Sequence, residues 1–264
     1  MPDRRSLPPM EATEFAIDKA FRHFFFALGL LVGWAILLLP LFALVWYVAF
    51  GEAMPDFKAL PPAAIGGLVA LGLGVLLASF SIETNWNRRI LLDERPSLLG
   101  RWRLDGPVWR YAAGVVLMLA VLALYAAAGA AVMVFAVPKL TAQLGAAAQP
   151  LGIVVTALIG LSGLFTFYRL MSWLAGLSVG DRDYGLGAAW RTTKGNRLAF
   201  LAFTFWIVFS LAMLGALGAG AFFAQQALPQ PWVKPSAFGI IGLLTWLALL
   251  VVHSVPAALY RSFR

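Results

Sequence analysis

The sequence predicts an all-α, polytopic membrane protein of six transmembrane helices. An N-terminal interfacial amphipathic helix and short cytoplasmic helices between spans two and three and between spans four and five complete it. Three observations carry this. Of 264 residues, 61% are hydrophobic and 12% charged, with a mean hydropathy of +0.84, whereas a soluble domain carries about 25% charged residues. Six charge-free runs each reach the ~20 residues that cross a hydrocarbon core. The basic residues collect in alternate connections. With no cysteine, disulfides, thiolate metal sites and cysteine nucleophiles are excluded.

Residues 1–10, with three prolines, read as a tail. Over 11–23, Phe15, Ile17 and Phe21 alternate with Glu11, Glu14, Asp18, Lys19 and Arg22. This pattern suits a helix lying on the inner leaflet; a polar lead-in to the first span is the plainer alternative. The spans are expected near 24–50, 60–83, 110–137, 150–176, 198–225 and 236–260, so the whole of 1–264 forms one integral membrane domain. The first reads as a retained signal-anchor. Its apolar run is about twice a cleavable h-region, and no A-x-A site closes it.

Lys/Arg placement orients the spans. With the N-terminus in the cytoplasm, 17 of the 20 basic residues fall on that side, and only Lys58, Lys139 and Lys234 face the other. The asymmetry predicts that both termini are cytoplasmic. It also accounts for the net charge of +8 without a nucleic-acid partner, since no nucleic-acid module is recognisable.

Two cytoplasmic connections, 83–110 and 177–197, each end in a Gly-containing turn and a Trp-Arg pair, Trp109-Arg110 and Trp190-Arg191. Small residues at four-residue spacing suggest helix contacts. These are Gly66, Ala70, Gly74 and Ala78; Ala123, Ala127 and Ala131; Gly152, Thr156 and Gly160; and Ala212, Ala216, Gly220 and Ala224. Pro40 and Pro256 fall within spans and are expected to kink them unless neighbours compensate.

The apolar interior leaves few groups for chemistry. No H-E-x-x-H, P-loop or G-x-S-x-G elbow occurs, and Gly185-Leu186-Gly187 follows no strand and has Trp190 where the third glycine belongs. Neither a catalytic residue nor a cofactor or metal site is expected. Arg169 interrupts the fourth apolar stretch; with a helix starting near 150 it falls about 28 Å along the axis, where snorkelling suffices. Glu83 is its natural countercharge, so an inner-face Glu83–Arg169 pair is expected. His253 reads as a packing histidine and Asn85 as a local cap. Arg101, Trp102, Arg103, Trp109, Arg110, Arg191 and Lys194 are candidate contacts for anionic phospholipid.

The least generic stretch runs Arg169-Leu170, an apolar segment, Asp181-Arg182-Asp183-Tyr184-Gly185-Leu186, then Ala188-Ala189-Trp190-Arg191-Thr192-Thr193-Lys194-Gly195-Asn196-Arg197. It resembles a superfamily of bacterial six-span membrane proteins related to the membrane domain of glycerophosphoryl diester phosphodiesterases. Trp190, Gly195 and Asn196 carry the likeness, which covers 169–205 well and the rest by span count. The proline often found between the arginine and the acidic turn is missing. No residues here correspond to the phosphodiesterase's catalytic domain, so hydrolysis is not implied. From the residues themselves, Asp181 and Asp183 suit a helix N-terminus, 184–194 a short amphipathic helix, and Gly195 or Asn196 a left-handed turn.

The expected function is non-enzymatic. The chain is read as a structural or partner-binding membrane protein that touches anionic lipid, with a membrane-protein partner or second copy as the other candidate contact. A transporter or channel for a small molecule or lipid is the alternative. It needs facing polar groups along a midplane path, and only Thr156, Ser162, Thr166, Ser210, Thr245 and Ser254 lie deep. A membrane enzyme ranks third, for want of clustered acids or histidines.

Overall fold

A computed structural model describes residues 6–50, 62–97, 99–145, 148–227, 230 and 233–264. Arg4, Arg5, Lys58 and Trp232 lie outside them, as do residues 60 and 61 at the expected start of span two. Among the described residues the regular elements are all helical: α1 (Pro9–Arg22), α2 (Phe24–Phe50), α3 (Pro62–Leu92), α4 (Gly106–Ala131), α5 (Val137–Leu144), α6 (Ala148–Val179), α7 (Leu186–Thr192), α8 (Arg197–Ala227) and α9 (Val233–Phe263). A 3-10 turn covers Leu99–Trp102, and a π turn, Val132–Ala136, joins α4 to α5.

Six segments are long and apolar enough to cross a membrane: Phe24–Val48, Pro62–Leu92, Gly100–Leu144, Ala148–Val179, Arg197–Ala227 and Val233–Phe263. The chain is an all-α, multi-pass membrane protein.

Polar sequence does not end the helices where hydropathy does. α3 continues past residue 83 to Leu92 because Thr84, Asn85, Trp86, Asn87 and Ile90 are buried. Asn85 Nδ2 donates back to the Ser81 carbonyl at 3.0 Å. The helix stops where Asp93 takes φ 52°. There Arg89 donates to the Asp93 carbonyl at 3.1 Å and pairs with its carboxylate at 2.8 Å, a basic side chain at a helix C-terminus. Consequently the expected helix between spans two and three shrinks to the 3-10 turn. The one expected over 184–194 is present as α7.

Pro40 and Pro256 sit inside continuous helices. The proline that marks a break is Pro138, which sequence reading passed over. Its ring conflicts with the carbonyl four residues back, and the wider π turn immediately before it relieves the clash.

α1 buries an alanine face, Ala12, Ala16 and Ala20, and leaves Phe21 exposed. Its inward side is therefore small, not aromatic.

The described helices divide into two compact units: Met1–Ala16, Arg110–Met213 and Val255–Arg264; and Ile17–Trp109 with Leu214–Ser254. In the second, α2 lies close on α3, with Val45 against Gly67 and Leu38 against Gly74. In the first, α6 sets Leu174 and Leu177 against Gly114 of α4, and Gly163 against Tyr125. Between these helices the Tyr125 hydroxyl meets the Thr166 hydroxyl at 3.0 Å, and Tyr168 meets Thr204 of α8 at 2.7 Å.

The inward seams follow alternating steps of three and four: Gly67, Leu71, Gly74, Ala78 and Ser81 on α3, and Ile207, Leu211, Leu214, Gly218 and Ala221 on α8. Gly66, Ala70, Ala123, Ala127, Ala131, Gly160, Ala212, Ala216 and Gly220 of the expected four-residue stripes are exposed. The reason is geometric. Four residues turn a helix about 40° beyond one full turn, so a strict four-spaced stripe walks off the contact face, while a mean of 3.5 stays on it.

Candidate functional site

Two polar clusters stand out, one in each unit. The first is built on the α6–α7–α8 connection. Gly180 takes φ 77° and reverses the chain after α6, a conformation that suits glycine. Asp181 then closes the turn, its Oδ1 accepting the backbone N–H of Asp183 at 3.0 Å and of Tyr184 at 3.2 Å. Its Oδ2 accepts the Tyr260 hydroxyl at 2.6 Å and pairs with Arg264 Nε at 2.6 Å. Burial opposes the charge. The Tyr260 hydroxyl, the two backbone N–H groups and the Arg264 guanidinium outweigh it and hold the carboxyl below the usual carboxylate range.

Tyr184 is buried beside this clasp, edge-on to Tyr260 at 5.1 Å, with its hydroxyl 3.3 Å from Ser172 and 3.4 Å from Thr192. Burial pushes its phenol above the ordinary value, partly offset by these hydroxyl contacts. Gly176 makes room: a Cβ there would lie 3.1 Å from the Tyr184 ring and 3.3 Å from that of Tyr260. Asp181 and Asp183 precede α7 without capping it; Gly185 occupies the cap position.

After α7, Gly195 adopts φ 92° and α8 starts directly behind Asn196. Asn196 Oδ1 accepts the backbone N–H of Leu7 at 2.8 Å, which ties the N-terminal segment to this connection. These turns place Arg191, Lys194 and Arg197 around Arg169, whose guanidinium stacks 4.4 Å above the Trp190 ring. Together with Gly195 they line a cavity of about 640 Å³. All four ionisable residues of the wall are cationic, and the buried Arg169 Nε has no hydrogen-bond partner. Such a wall is electropositive.

The second cluster lies at the charged end of α3. Glu83, 9% exposed, receives His253 Nδ1 at 2.6 Å and Asn87 Nδ2 at 3.5 Å. Thr84 Oγ1, Trp86 Nε1 and Asn87 Oδ1 are buried there without partners. Further along, Glu94 receives Arg88 Nε at 2.6 Å and Arg103 Nη2 at 3.1 Å, and Arg103 also reaches Asp105 at 2.9 Å. Burial works against ionisation of Glu94, but these two guanidiniums keep its carboxyl below the usual range.

The expected Glu83–Arg169 pair joins residues of the two different units; within its own unit Glu83 meets His253, and Arg169 meets Trp190. Hydropathy located both residues but carried no information about a histidine 170 positions from the glutamate. Among the lipid-contact candidates, Arg101 lies against Gly29 and Trp102 against Gly33, both on α2. Asn85 Nδ2 holds the Arg101 carbonyl at 3.3 Å, which extends its expected capping role. Arg103 is held by two acids, while Trp109, Arg110, Arg191 and Lys194 are exposed. Sequence reading missed Arg197 as part of a site, and the Asp181–Tyr260–Arg264 clasp. The i, i+4 spacing of Tyr260 and Arg264 was the available signal for the latter.

Among the described residues no three His, Asp or Glu side chains come together as a metal site. The fold and these clusters define the class, a multi-pass helical membrane protein with a cationic pocket at the end of its spans. Comparisons with protein-family models, curated proteins and solved structures give no match to the chain.

Proposed function

We propose that this chain is a non-enzymatic component of the bacterial cytoplasmic membrane that works by binding, with both termini on the cytoplasmic side. Its charged end engages anionic phospholipid, and a membrane-protein partner or a second copy completes the assembly. The observation that supports this reading is the cationic wall of Arg169, Arg191, Lys194 and Arg197 beside Trp190. Basic and aromatic side chains gathered where apolar helices end suit a headgroup layer, each cation contributing on the order of 1 kcal/mol of attraction. Kinship with the six-span superfamily stays part of the proposal, resting on the 169–205 segment.

The test is lipid retention. The full chain, purified in mild detergent from membranes of mixed composition, is expected to keep phosphatidylglycerol in preference to phosphatidylcholine. Equal retention of the two overturns the reading. Topology is checked in the same protein: with no native cysteine, single cysteines at Ala142 and Ser97 label from opposite sides.

One observation favours the transport alternative, the Glu83–His253 pair with three unpartnered polar atoms nearby. Ionisable groups in membrane segments often line ion paths. Proton or solute flux in reconstituted vesicles, abolished by Glu83→Gln in a folded protein, would replace the binding reading by this one.

A further inference from the structure

We propose that the cavity walled by Arg169, Trp190, Arg191, Lys194 and Arg197 is a specific site for a phosphomonoester group, a deepening that rests on the anionic-lipid reading above.

The argument begins with charge. Four cations border one cavity of about 640 Å³, and its lining contains no carboxylate. The two acids of the connection that builds this wall face Arg264. Asp181 is held by Tyr260 and Arg264, and Asp183 lies 4.0 Å from Arg264. The like charges repel one another, and the arrangement calls for an anion of more than one unit. A phosphomonoester brings about −1.5 to −2 charges and three strong acceptor oxygens near neutral pH, where a diester brings a single charge.

Geometry narrows the ligand further. Trp190 holds the Arg169 guanidinium over its ring, 4.4 Å from the centroid, which restricts the side chain before anything binds, and a guanidinium is the group suited to bidentate phosphate recognition. Arg169 Nε is buried without a hydrogen-bond partner, so no acceptor of the protein competes for this guanidinium there. Gly195, at φ 92°, lets the chain turn tightly between Lys194 and Arg197, bringing both to the same wall. The cavity falls in the usual size range of small-molecule sites, about 300–1,000 Å³. That leaves room for the molecule carrying the phosphate. Trp190 is 43% exposed and Leu198, in the first turn of α8, 81% exposed. This apolar surface beside the cations fits a phosphate presented at a membrane surface.

The carrier is either a lipid headgroup or a free phosphate, and the experiment separates them. Full-length protein in detergent is titrated with phosphatidic acid, phosphatidylglycerol and phosphatidylcholine and followed by native mass spectrometry, with and without inorganic phosphate. One phosphatidic acid per chain is expected, bound about tenfold more tightly than phosphatidylglycerol. Lys194→Gln, on an exposed turn that leaves the fold intact, is expected to weaken it about tenfold, and Arg169→Gln with Arg197→Gln about a hundredfold. Displacement by millimolar inorganic phosphate supports the site and assigns it to a soluble carrier; resistance to displacement supports it and assigns the lipid. Equal binding of phosphatidic acid and phosphatidylglycerol, or unchanged binding by Lys194→Gln, overturns the inference while leaving the broader lipid reading standing. Phosphatidylcholine bound as tightly as both overturns that reading as well.

Discussion

The two charged clusters use the same residue types to opposite ends. Around Glu94, acids and bases nearly match: Arg88 and Arg103 share one carboxylate, and Asp105 takes the remaining reach of Arg103. Around Trp190, Arg169, Arg191, Lys194 and Arg197 meet no acid in the cavity they line. A basic residue is structural where local carboxylates neutralise it, and available where they do not. Net charge is the same kind of quantity in both places; local balance separates them. Four substitutions test this contrast, beginning with the packing on which the open cluster depends.

The largest effect is expected at Gly176. Its missing side chain is what allows Tyr184 and Tyr260 to meet over α6, and Gly176→Leu forces at least one ring out of place. Overpacking of this kind typically destabilises by about 1–3 kcal/mol, and loss of the Asp181–Tyr260 hydrogen bond adds to it. A lowered, broadened thermal transition in detergent is the expected readout; an unchanged one means that the tyrosine pair is not tightly packed. Phosphatidic acid binding should fall with it, because the same connection carries α7.

Asp181→Asn is expected to be milder, about 2 kcal/mol, since the amide oxygen still accepts the Asp183 and Tyr184 N–H groups while the NH2 in place of Oδ2 no longer accepts from Tyr260 or attracts Arg264. Its pH dependence is diagnostic. The carboxyl is depressed in the folded protein, so its stabilisation is complete above the unfolded carboxylate value and fades as pH falls through the lower folded one. Wild type should therefore exceed Asp181→Asn by a constant margin at neutral pH. The two should converge below about pH 4. Equal stability of the two proteins at pH 7 would remove the clasp from the account.

How much of this was readable beforehand differs between backbone and side chains. Six spans, the α1 segment and α7 follow from hydropathy and turn residues, because a bilayer demands about 20 apolar residues and internally satisfied backbone. The end of α3 did not follow: Asn85 and Asn87 look like loop residues until burial shows them inside a helix. Pro138 was passed over although the rule that explains it is local. The alanine stripes misled because periodicity four and periodicity 3.5 look alike over two turns and diverge over five. For the site, Trp190, Arg191, Lys194, Gly195 and Asn196 were legible as one segment, and Gly195 as a left-handed turn. Arg169 was legible as unusual, but its stacking partner was not, since a charge in an apolar run announces only that it needs a partner. The pairing of Glu83 with His253 needed three-dimensional placement of two helices far apart in sequence.

The smallest effect is the most discriminating, because its sign should differ between the clusters. Arg103→Ala removes one of two guanidiniums from a part-buried Glu94 and the partner of Asp105. The loss should be about 1 kcal/mol, at the upper end for part-exposed ion pairs. Lys194→Ala removes a cation that has like-charged neighbours and no acid in its cavity, so stability should stay within about 0.5 kcal/mol and, where it moves, move upward. Added salt sharpens the difference. Screening weakens the attractions around Glu94 and the repulsions around Trp190 alike, so the Arg103→Ala deficit should shrink while any Lys194→Ala gain disappears. Thermal unfolding of both variants at low and high ionic strength measures this directly. A Lys194→Ala loss as large as that of Arg103→Ala would mean that Lys194 has an anionic partner within the protein, and the cavity would then be a structural cluster like the one around Glu94.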